Sequence, residues 1–196
     1  MNSKRIFDVC SVLPGLILLS PVFFLIALWI KLDSRGPIFF FQTRIGQFEK
    51  PFKIIKFRTM HPEKKGLKLT IGDDARITFS GRFLRKYKLD ELPQLLNVLK
   101  GDMSLVGPRP EVPEYVELYP DGIREYVLSV PVGITDYASI EFRQESEILA
   151  TSLQPEFDYV AKILPLKLAY HQQYVKEQSL YLDILLILKT LKRVFW

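Results

Sequence analysis

Two adjacent carboxylates, Asp90 and Glu91, stand just ahead of a short segment in which leucines recur at helical spacing. Pro93 suits the start of a helix, and Gly101 suits the position just after its last turn. The pair is therefore predicted at or just before a helix N-terminus, where the macrodipole favours an ionised carboxylate and attracts phosphate. An ionised carboxylate near a phosphate can act as a nucleophile, and its neighbour can hold a metal ion.

A simpler interpretation is that the two carboxylates only cap the helix, as acidic residues in a first turn often do. Their surroundings favour chemistry, because a basic run at 82–88 precedes them and a rigid Gly-Pro-Arg-Pro turn at 107–110 follows. Arg109, between two prolines, can offer a fixed two-pronged contact to a phosphate. Fixed cations around two carboxylates indicate a site for phosphate and a divalent metal.

Composition narrows the classes of partner. The 196 residues suffice for one domain with a substantial core, and a net charge of +5 suits phosphates, anionic lipid headgroups or nucleic acid. A single cysteine, Cys10, excludes an intramolecular disulfide and a cysteine-based zinc cluster. The sequence has no glycine-rich phosphate loop, dinucleotide-binding fingerprint or nucleic-acid-binding motif, so its charge is weak evidence for a nucleic-acid partner.

Residues 9–30 are almost wholly apolar and long enough to cross a bilayer as a helix. A plain transmembrane anchor is one interpretation. However, Ser20 and Pro21 interrupt the segment, and both flanks are basic, which would keep both ends in the cytoplasm. A bent helix that enters one leaflet and returns accounts for both features, and these features alone leave the two topologies open.

Cations also line the segments before the carboxylate pair. Residues 52–60 alternate partly between apolar and cationic side chains and are predicted as a short strand that offers Lys56 and Arg58 to a phosphate. A half-exposed edge strand protected by lysines is the alternative. Residues 76–88, which contain Arg85, are predicted as a basic amphipathic helix or turn leading into the pair.

The second half of the chain is predicted as short helices followed by longer ones. Residues 131–140 are predicted as a loop followed by a strand-like piece, and residues 156–175 as a helix interrupted at Pro165. The final segment, 180–196, is apolar with a basic end, which is typical of a helix at a membrane interface. A core-packed final helix is an equally good interpretation of that pattern.

Nearly the whole chain resembles the small monotopic phosphoglycosyl transferases of bacteria, also called bacterial sugar transferases. The strongest matches are Leu-Asp-Glu-Leu-Pro-Gln-Leu at 89–95 and Gly-Asp-Met-Ser-Leu-Val-Gly-Pro-Arg-Pro at 101–110. Further matches, in chain order, are 4–8, the proline-broken apolar segment, 36–40, Gln42, 44–46, 56–60, 131–135, 174–175, Ser179 and Asp183. A series this long in the right order is a highly specific signal.

The resemblance implies a fold and a location. It implies a single compact α+β domain, mostly helical, with interfacial amphipathic helices. Residues 1–34 would form a re-entrant membrane helix hairpin broken at Ser20 and Pro21, and residues 35–196 a cytosolic interfacial catalytic domain in one structural unit with it. Such a protein is monotopic and lies on phospholipid at the cytoplasmic face of the bacterial inner membrane. A homodimer is left open.

The resemblance also implies a reaction. A sugar 1-phosphate would move from a UDP-sugar to a polyprenyl phosphate, usually undecaprenyl phosphate, in the first membrane step of a surface glycan such as a capsule or exopolysaccharide. Asp90 stands at the position of the nucleophile and would carry a covalent phosphosugar in ping-pong kinetics, with UMP released. Glu91 stands at the position that binds Mg²⁺. The remaining candidate phosphate and substrate contacts are Lys56, Arg58, Arg85 and Arg109.

The chain departs from the family pattern at two places. Asp136 and Tyr137 replace a common Gly-Trp, and His171 replaces a common Asp. These changes leave the chemistry of the pair untouched but bear on the sugar, which the sequence does not identify beyond a preference for a UDP-linked one. Two rival functions remain: a membrane-associated phosphohydrolase with the same carboxylates, and a non-catalytic adaptor that binds anionic lipid. Products formed with and without polyprenyl phosphate separate the enzymes, and the adaptor predicts no need for the pair.

Overall fold

The computed structural model describes residues 3–62, 71–72 and 74–195. For residues 194 and 195 it describes the backbone only. Within them, helices dominate over a few short strands in one compact domain, as predicted for a mostly helical α+β protein. The helices are α1 (Ser3–Asp33), α2 (Phe79–Lys86), α3 (Gln94–Lys100), α4 (Pro113–Val116), α5 (Ile123–Val127), α6 (Tyr137–Glu141), α7 (Glu145–Ala150), α8 (Pro155–Asp158), α9 (Leu164–Glu177) and α10 (Leu180–Phe195). The strands are β1 (Phe39–Ile45), β2 (Pro51–Phe57), β3 (Ser104–Val106) and β4 (Gly133–Thr135).

Helix α1 is one continuous element of 31 residues, and by length and composition it could cross a membrane. Pro21 has no amide hydrogen, so the carbonyl of Ile17 lacks its usual helical donor. The hydroxyl of Ser20 donates to that carbonyl at 2.8 Å. The hydroxyl therefore satisfies the carbonyl that the proline leaves free, and the Ser-Pro step is accommodated within the helix.

Both ends of α1 are bonded to the same compact domain. Near its start, the carboxylate of Asp8 accepts from the amide of Leu105 at 3.1 Å. At its other end, Asp33 accepts from the amide and the hydroxyl of Ser80 at 2.9 and 2.7 Å. Much of the apolar surface between these ends faces outward, including Leu13, Ile17, Leu18, Phe24, Leu25 and Leu28.

The strands form two small sheets. β1 and β2 pair antiparallel over their whole length, from Phe39 opposite Phe57 to Ile45 opposite Pro51. β3 and β4 form a parallel pair. The largest core cluster brings residues of α1, β2 and α3 together with residues of the α4–α5 region and α9, so the long helix is part of the fold rather than an appendage.

A close backbone contact fixes the turn that follows β3. Gly107 donates its amide to Thr135 at 3.0 Å, and Gly133 donates to the carbonyl of Pro108 at 2.9 Å. A Cβ on Gly107 would lie 2.2 Å from the carbonyl oxygen of Pro131, and a Cβ on Gly133 would lie 2.1 Å from the amide nitrogen of Gly107. Only glycine permits this approach, which holds the Gly-Pro-Arg-Pro turn against β4.

Several predicted elements appear with shifted bounds. The strand-like piece expected within 131–140 is present only as the three-residue β4, and α6 follows it because Asp136 caps a helix by accepting from the amide of Ser139 at 2.8 Å. The interruption expected at Pro165 is a π-helical turn at Tyr159–Ile163, immediately before α9. Helix α10 packs on the core through Leu186, which is fully buried, whereas several of its large apolar side chains are exposed, so its location at a membrane interface stays a prediction.

Candidate active site

The chain enters the carboxylate pair through a strained step. After α2 ends, Lys88 adopts a left-handed backbone conformation with φ of 55°, and a single 3₁₀ turn follows at Leu89–Glu91. That conformation is uncommon outside glycine and costs of order 1 kcal/mol or more. The turn places Asp90 inward, 7% exposed, so the pair precedes α3 as predicted.

Asp90 is buried, and one of its carboxylate oxygens is not used in hydrogen bonding within the described residues. Its Oδ1 atom has no hydrogen-bond partner in the described part of the chain. Burial raises the pKa of this carboxyl above its ordinary value, and the adjacent charge of Glu91 raises it further, while Lys56 and Arg85 oppose both effects. A buried carboxylate oxygen without a partner is available to a ligand, an ion or a water molecule.

Glu91 is held by two cations from distant parts of the chain. Lys56 of β2 donates to Oε1 at 3.0 Å, and Arg109 binds both oxygens, with Nη1 at 3.1 Å from Oε2. Burial opposes ionisation of Glu91, but Arg109 and Lys56 outweigh it and hold the pKa well below its usual range. We call Asp90, Glu91, Lys56 and Arg109 the carboxylate-pair cluster. In it the pKa of Glu91 is lowered, so this carboxylate is ionised, whereas the pKa of Asp90 is raised.

Arg109 is set by the turn described above. The turn rests on β4, and Nη1 of Arg109 lies 3.4 Å from the carbonyl of Ile134. The charge of Glu91 raises the pKa of the guanidinium, which therefore stays charged. The structure brings together four of the residues that sequence reasoning selected, although they come from three separate segments.

Two other predicted phosphate contacts lie differently. Arg85 is near enough to Asp90 to lower its pKa, and its Nη1 lies 3.4 Å from the hydroxyl of Thr59. Arg58 is instead buried against the end of α1, with its guanidinium donating to the carbonyl of Pro37 at 2.6 Å and to two oxygens of Ser34 at 2.8 and 2.9 Å. The structure does not bring Arg58 to the carboxylate pair.

A second buried ion cluster adjoins the first and was not predicted. Glu111 accepts from Tyr159 at 2.7 Å and Lys167 at 2.9 Å on one oxygen, and from Arg44 at 3.2 Å on the other. Lys167 also donates to Glu145 at 3.0 Å. We call these five residues the Glu111 cluster. Its only sequence signal is an acid directly after the Gly-Pro-Arg-Pro turn, because the buried lysine lies 56 positions further on.

The two departures from the family pattern meet in space. His171 Nδ1 lies 2.6 Å from Asp136 Oδ2, and both side chains are almost wholly buried. Burial disfavours the charge on Asp136, but His171 and Ser139 lower its pKa. The changes at 136 and 171 are therefore one coupled feature of this chain, joining the cap of α6 to the middle of α9.

The residues present suit a magnesium ion. Within the described residues there is no group of three or more His, Cys, Asp or Glu side chains placed to hold a metal. Magnesium in phosphoryl-transfer sites is commonly held by one or two carboxylates together with substrate phosphates and waters. The unpartnered oxygen of Asp90 beside the ionised Glu91 meets that requirement.

The family model described as "Bacterial sugar transferase" matches residues 1–196. The chain belongs to the bacterial sugar transferase family. The motifs at 89–95 and 101–110 are segments that build the carboxylate-pair cluster and the turn against β4.

Relatives in the family carry informative names. The chain is 35% identical over 195 residues to an Aeromonas hydrophila protein named UDP-N-acetylgalactosamine-undecaprenyl-phosphate N-acetylgalactosaminephosphotransferase, covering 97% of this chain and 43% of that protein. It is 39% identical to the undecaprenyl-phosphate glucose phosphotransferase of Komagataeibacter xylinus, covering 98% and 36%. It is 36% identical to the exopolysaccharide production protein ExoY of Sinorhizobium fredii, covering 98% and 85%. The chain thus spans less than half of the first two relatives and most of the third.

Proposed function

We propose that this bacterial sugar transferase moves a sugar 1-phosphate from a UDP-sugar to undecaprenyl phosphate, as an early step in making an exopolysaccharide or related surface glycan. The observation that carries the proposal is the buried, unpartnered oxygen of Asp90 beside a Glu91 fixed by Lys56 and Arg109. The names of the relatives support the substrate class. Those names describe phosphotransferases, not the two rival functions, a phosphohydrolase and a lipid-binding adaptor.

The geometry suits a two-step transfer. An oxygen of Asp90 attacks the phosphorus that carries the sugar, an O–P bond forms, and the bond to UMP breaks with its electron pair leaving on UMP. An oxygen of undecaprenyl phosphate then attacks the same phosphorus and displaces Asp90. Because the donor product leaves before the acceptor reacts, the kinetics are ping-pong. The carboxyl of Asp90 must be ionised for the first attack, and Lys56 and Arg85 favour that form.

Charge stabilisation is the main contribution of the other residues. Arg109 and Lys56 carry the positive charge nearest the pair, and phosphoryl transfer depends mostly on positioning and such charge. Glu91 and the donor's phosphates would hold Mg²⁺, which when bound neutralises charge on the phosphoryl oxygens. Glu91 itself is ionised by its cations, so it can bind a metal without first losing a proton.

The lipid acceptor requires a membrane-associated protein, and α1 supplies an apolar surface for that purpose. We propose that α1 is re-entrant and bends at Ser20 and Pro21, with both of its ends on the cytoplasmic face of the inner membrane. Asp8 and Asp33, near the two ends, are bonded to one compact domain. Trp29 and Phe83 pack at 5.4 Å where α1 meets α2, and aromatic side chains of this kind favour the membrane interface.

The decisive test of the reaction is UMP release by the whole protein in nanodiscs with Mg²⁺, undecaprenyl phosphate and a panel of UDP-sugars. We expect one donor to release UMP in many turnovers only when the lipid is present. Donor labelled in the sugar should leave its label on Asp90 when the lipid is omitted. Hydrolysis of the donor at the same rate without lipid would contradict a transferase.

Topology has its own test. In a Cys10→Ser background, single cysteines at Ser3 and Arg35 are labelled with a membrane-impermeant maleimide in right-side-out and inverted vesicles. A re-entrant helix predicts that both positions are labelled only in inverted vesicles. Labelling of one position in each preparation would show a helix that crosses the membrane.

A further inference from the structure

Three buried polar side chains follow one another along the carboxylate pair and α3. Asp90, Gln94 and Asn97 are 7%, 1% and 0% exposed, and their spacing of four and three places them on one face of the helical path. Backbone hydrogen bonds continue the helical turns through this segment; for example, the amide of Leu92 donates to the carbonyl of Leu89 at 3.2 Å. A run of buried polar groups requires partners, and the three members differ in whether they have them.

Asn97 is fully bonded to the framework. Its Oδ1 accepts from the amide of Ile55 at 3.0 Å, and its Nδ2 donates to the carbonyl of Lys53 at 2.8 Å and to Asp102 at 3.1 Å. It therefore fastens α3 to strand β2. This is the ordinary structural use of a buried amide.

Gln94 is the opposite case. Within the part of the chain that the structure describes, neither Nε2 nor Oε1 has a hydrogen-bond partner, although the side chain is buried. The same is true of Oδ1 of Asp90, one turn earlier. Asn97 bonds residues 53 and 55 of β2, and Glu91 bonds Lys56 of the same strand, so Gln94 stands on α3 between these two attachments. Among the described residues, three buried polar atoms without partners, two on Gln94 and one on Asp90, thus belong to consecutive turns of this path.

We propose that the carboxamide of Gln94 binds the sugar phosphate while it is transferred to and from Asp90; this rests on the proposed function. Nε2 donates to a non-bridging phosphoryl oxygen, and Oε1 accepts from a hydroxyl or N–H group of the sugar. A ligand that offers both an acceptor and a donor satisfies both ends of the amide, which inorganic phosphate in its fully ionised form does not. Gln94 is by this assignment a catalytic residue that adds a neutral contact to the charged ones.

The test compares Gln94→Met with Asn97→Leu in the whole protein in nanodiscs. Methionine keeps the length and volume of Gln94 but has no amide, and Gln94→Leu serves as a second apolar variant. The first reading is thermal unfolding. The second is the rate at which Asp90 is labelled by UDP-glucose or UDP-N-acetylgalactosamine, whichever the wild type uses.

We expect Gln94→Met to unfold at or above the wild-type temperature, because it removes unpartnered buried polar atoms. Labelling of Asp90 should nevertheless slow by about 10- to 100-fold, the effect of one hydrogen bond to a charged group. Asn97→Leu should unfold several degrees lower, because it removes three bonds that are made. This opposite ordering of stability and activity is the signature of a ligand contact.

Three results would overturn the assignment. Labelling of Gln94→Met and Gln94→Leu at the wild-type rate would show that the amide does not contact the sugar phosphate. Loss of stability in both variants as large as in Asn97→Leu would show a structural amide. Failure of the wild type to label Asp90 or to release UMP with any UDP-sugar would overturn the proposed function itself, and the Gln94 assignment with it.

Discussion

The carboxylate-pair cluster and the Glu111 cluster use the same chemistry of buried acids and cations, but they differ in what is left over. Both oxygens of Glu111 are bonded, and the ammonium of Lys167 has three partners. In the carboxylate-pair cluster, Asp90 keeps an unpartnered oxygen. Among the described residues, the first cluster pairs both Glu111 and Lys167 and leaves only one buried polar side-chain atom, Nε of Arg44, without a partner, whereas the second leaves an oxygen of its buried acid available to a ligand.

The two clusters are also electrostatically linked. Glu111 and Glu145 both raise the pKa of Arg109, although less than Glu91 does. The Glu111 cluster therefore helps to keep Arg109 of the carboxylate-pair cluster charged. The protein thus separates its framework from its candidate reaction site: the charges of Glu111 and Lys167 are paired, whereas Asp90 has an oxygen without a partner among the described residues.

The largest effect is expected at Asp90. Asp90→Asn should lower turnover by about 10⁴-fold or more, because it removes the nucleophile. It should not destabilise the fold, since the raised pKa of Asp90 shows that burial disfavours its charge. Steady-state UMP release and thermal unfolding measure the two quantities, with Asp121→Asn in an exposed turn as the control. Turnover of Asp90→Asn within tenfold of the control would contradict a nucleophile at this position.

The next largest effect concerns stability. Glu111→Gln should lower the free energy of unfolding by about 3–5 kcal/mol, because it leaves Lys167 buried without its closest counter-charge. Burial opposes ionisation of Glu111, but Lys167 and Arg44 lower its pKa to about 2. The stabilisation is therefore complete above the ordinary carboxyl value of 4.5 and is lost as pH falls towards 2.

Denaturant unfolding of wild type and Glu111→Gln at several pH values measures this difference. The gap between the two should be widest near neutral pH and should close in acid. Glu145→Gln is the control, because Glu145 pairs with the same lysine but is more exposed, and its loss should cost less. An equal cost for the two variants would contradict the framework function of the Glu111 cluster.

Two arginines predicted as phosphate contacts should behave differently. Arg58→Lys should lower stability by about 1.5–3 kcal/mol, since lysine cannot reproduce the contacts with Pro37 and Ser34, and it should leave kcat and KM unchanged. Arg109→Lys should lower kcat with a smaller loss of stability, because it loses the two-pronged contact with Glu91. Kinetics and unfolding of both variants check the contrast. A drop in kcat for Arg58→Lys would bring Arg58 back into the site.

The smallest effect is a displacement of the pH profile. Lys56 lowers the pKa of Asp90, so Lys56→Gln should raise that pKa further and move the acid limb of Asp90 labelling to higher pH. The sign follows because labelling needs ionised Asp90, which a rising pKa removes at a given acid pH. Lys53→Gln, on the same strand with its ammonium bonded to Thr43, should leave the limb in place. A limb that stays or moves to lower pH in Lys56→Gln would contradict the electrostatic account.

Local patterns predicted the elements well wherever one segment carried the signal. The helix after the pair ends at Gly101, which has φ of 93° as the C-cap glycine requires. The apolar run at 9–30 became the middle of α1, and the basic run before the pair became part of α2. Where a capping side chain competed with strand propensity, as Asp136 does at the start of α6, the predicted strand was too long and only β4 formed.

Contacts between distant segments were outside the reach of those patterns. Arg58 and Lys56 lie two residues apart on one short stretch, yet Lys56 bonds Glu91 and Arg58 bonds the residues that follow α1. The alternating pattern assigns both to one face of a strand, but β2 ends at Phe57, so Arg58 lies just beyond it and the two cations find partners from different segments. The contact of Asp136 with His171 is of the same kind: two departures from a pattern that only folding joins.

The sequence by itself determined the carboxylate pair, the cations that accompany it, the apolar helix and the family, because each of these is written in neighbouring residues. The tertiary structure decided which cations reach Glu91, which acid completes the framework and which buried amides remain without partners. The reason is physical: burial and hydrogen-bond satisfaction depend on what the rest of the chain places around a group. Asn97 and Gln94 carry the same functional group on one helix. Their surroundings alone decide that Asn97 is bonded to β2 and that the amide of Gln94, without a partner among the described residues, is available to a substrate.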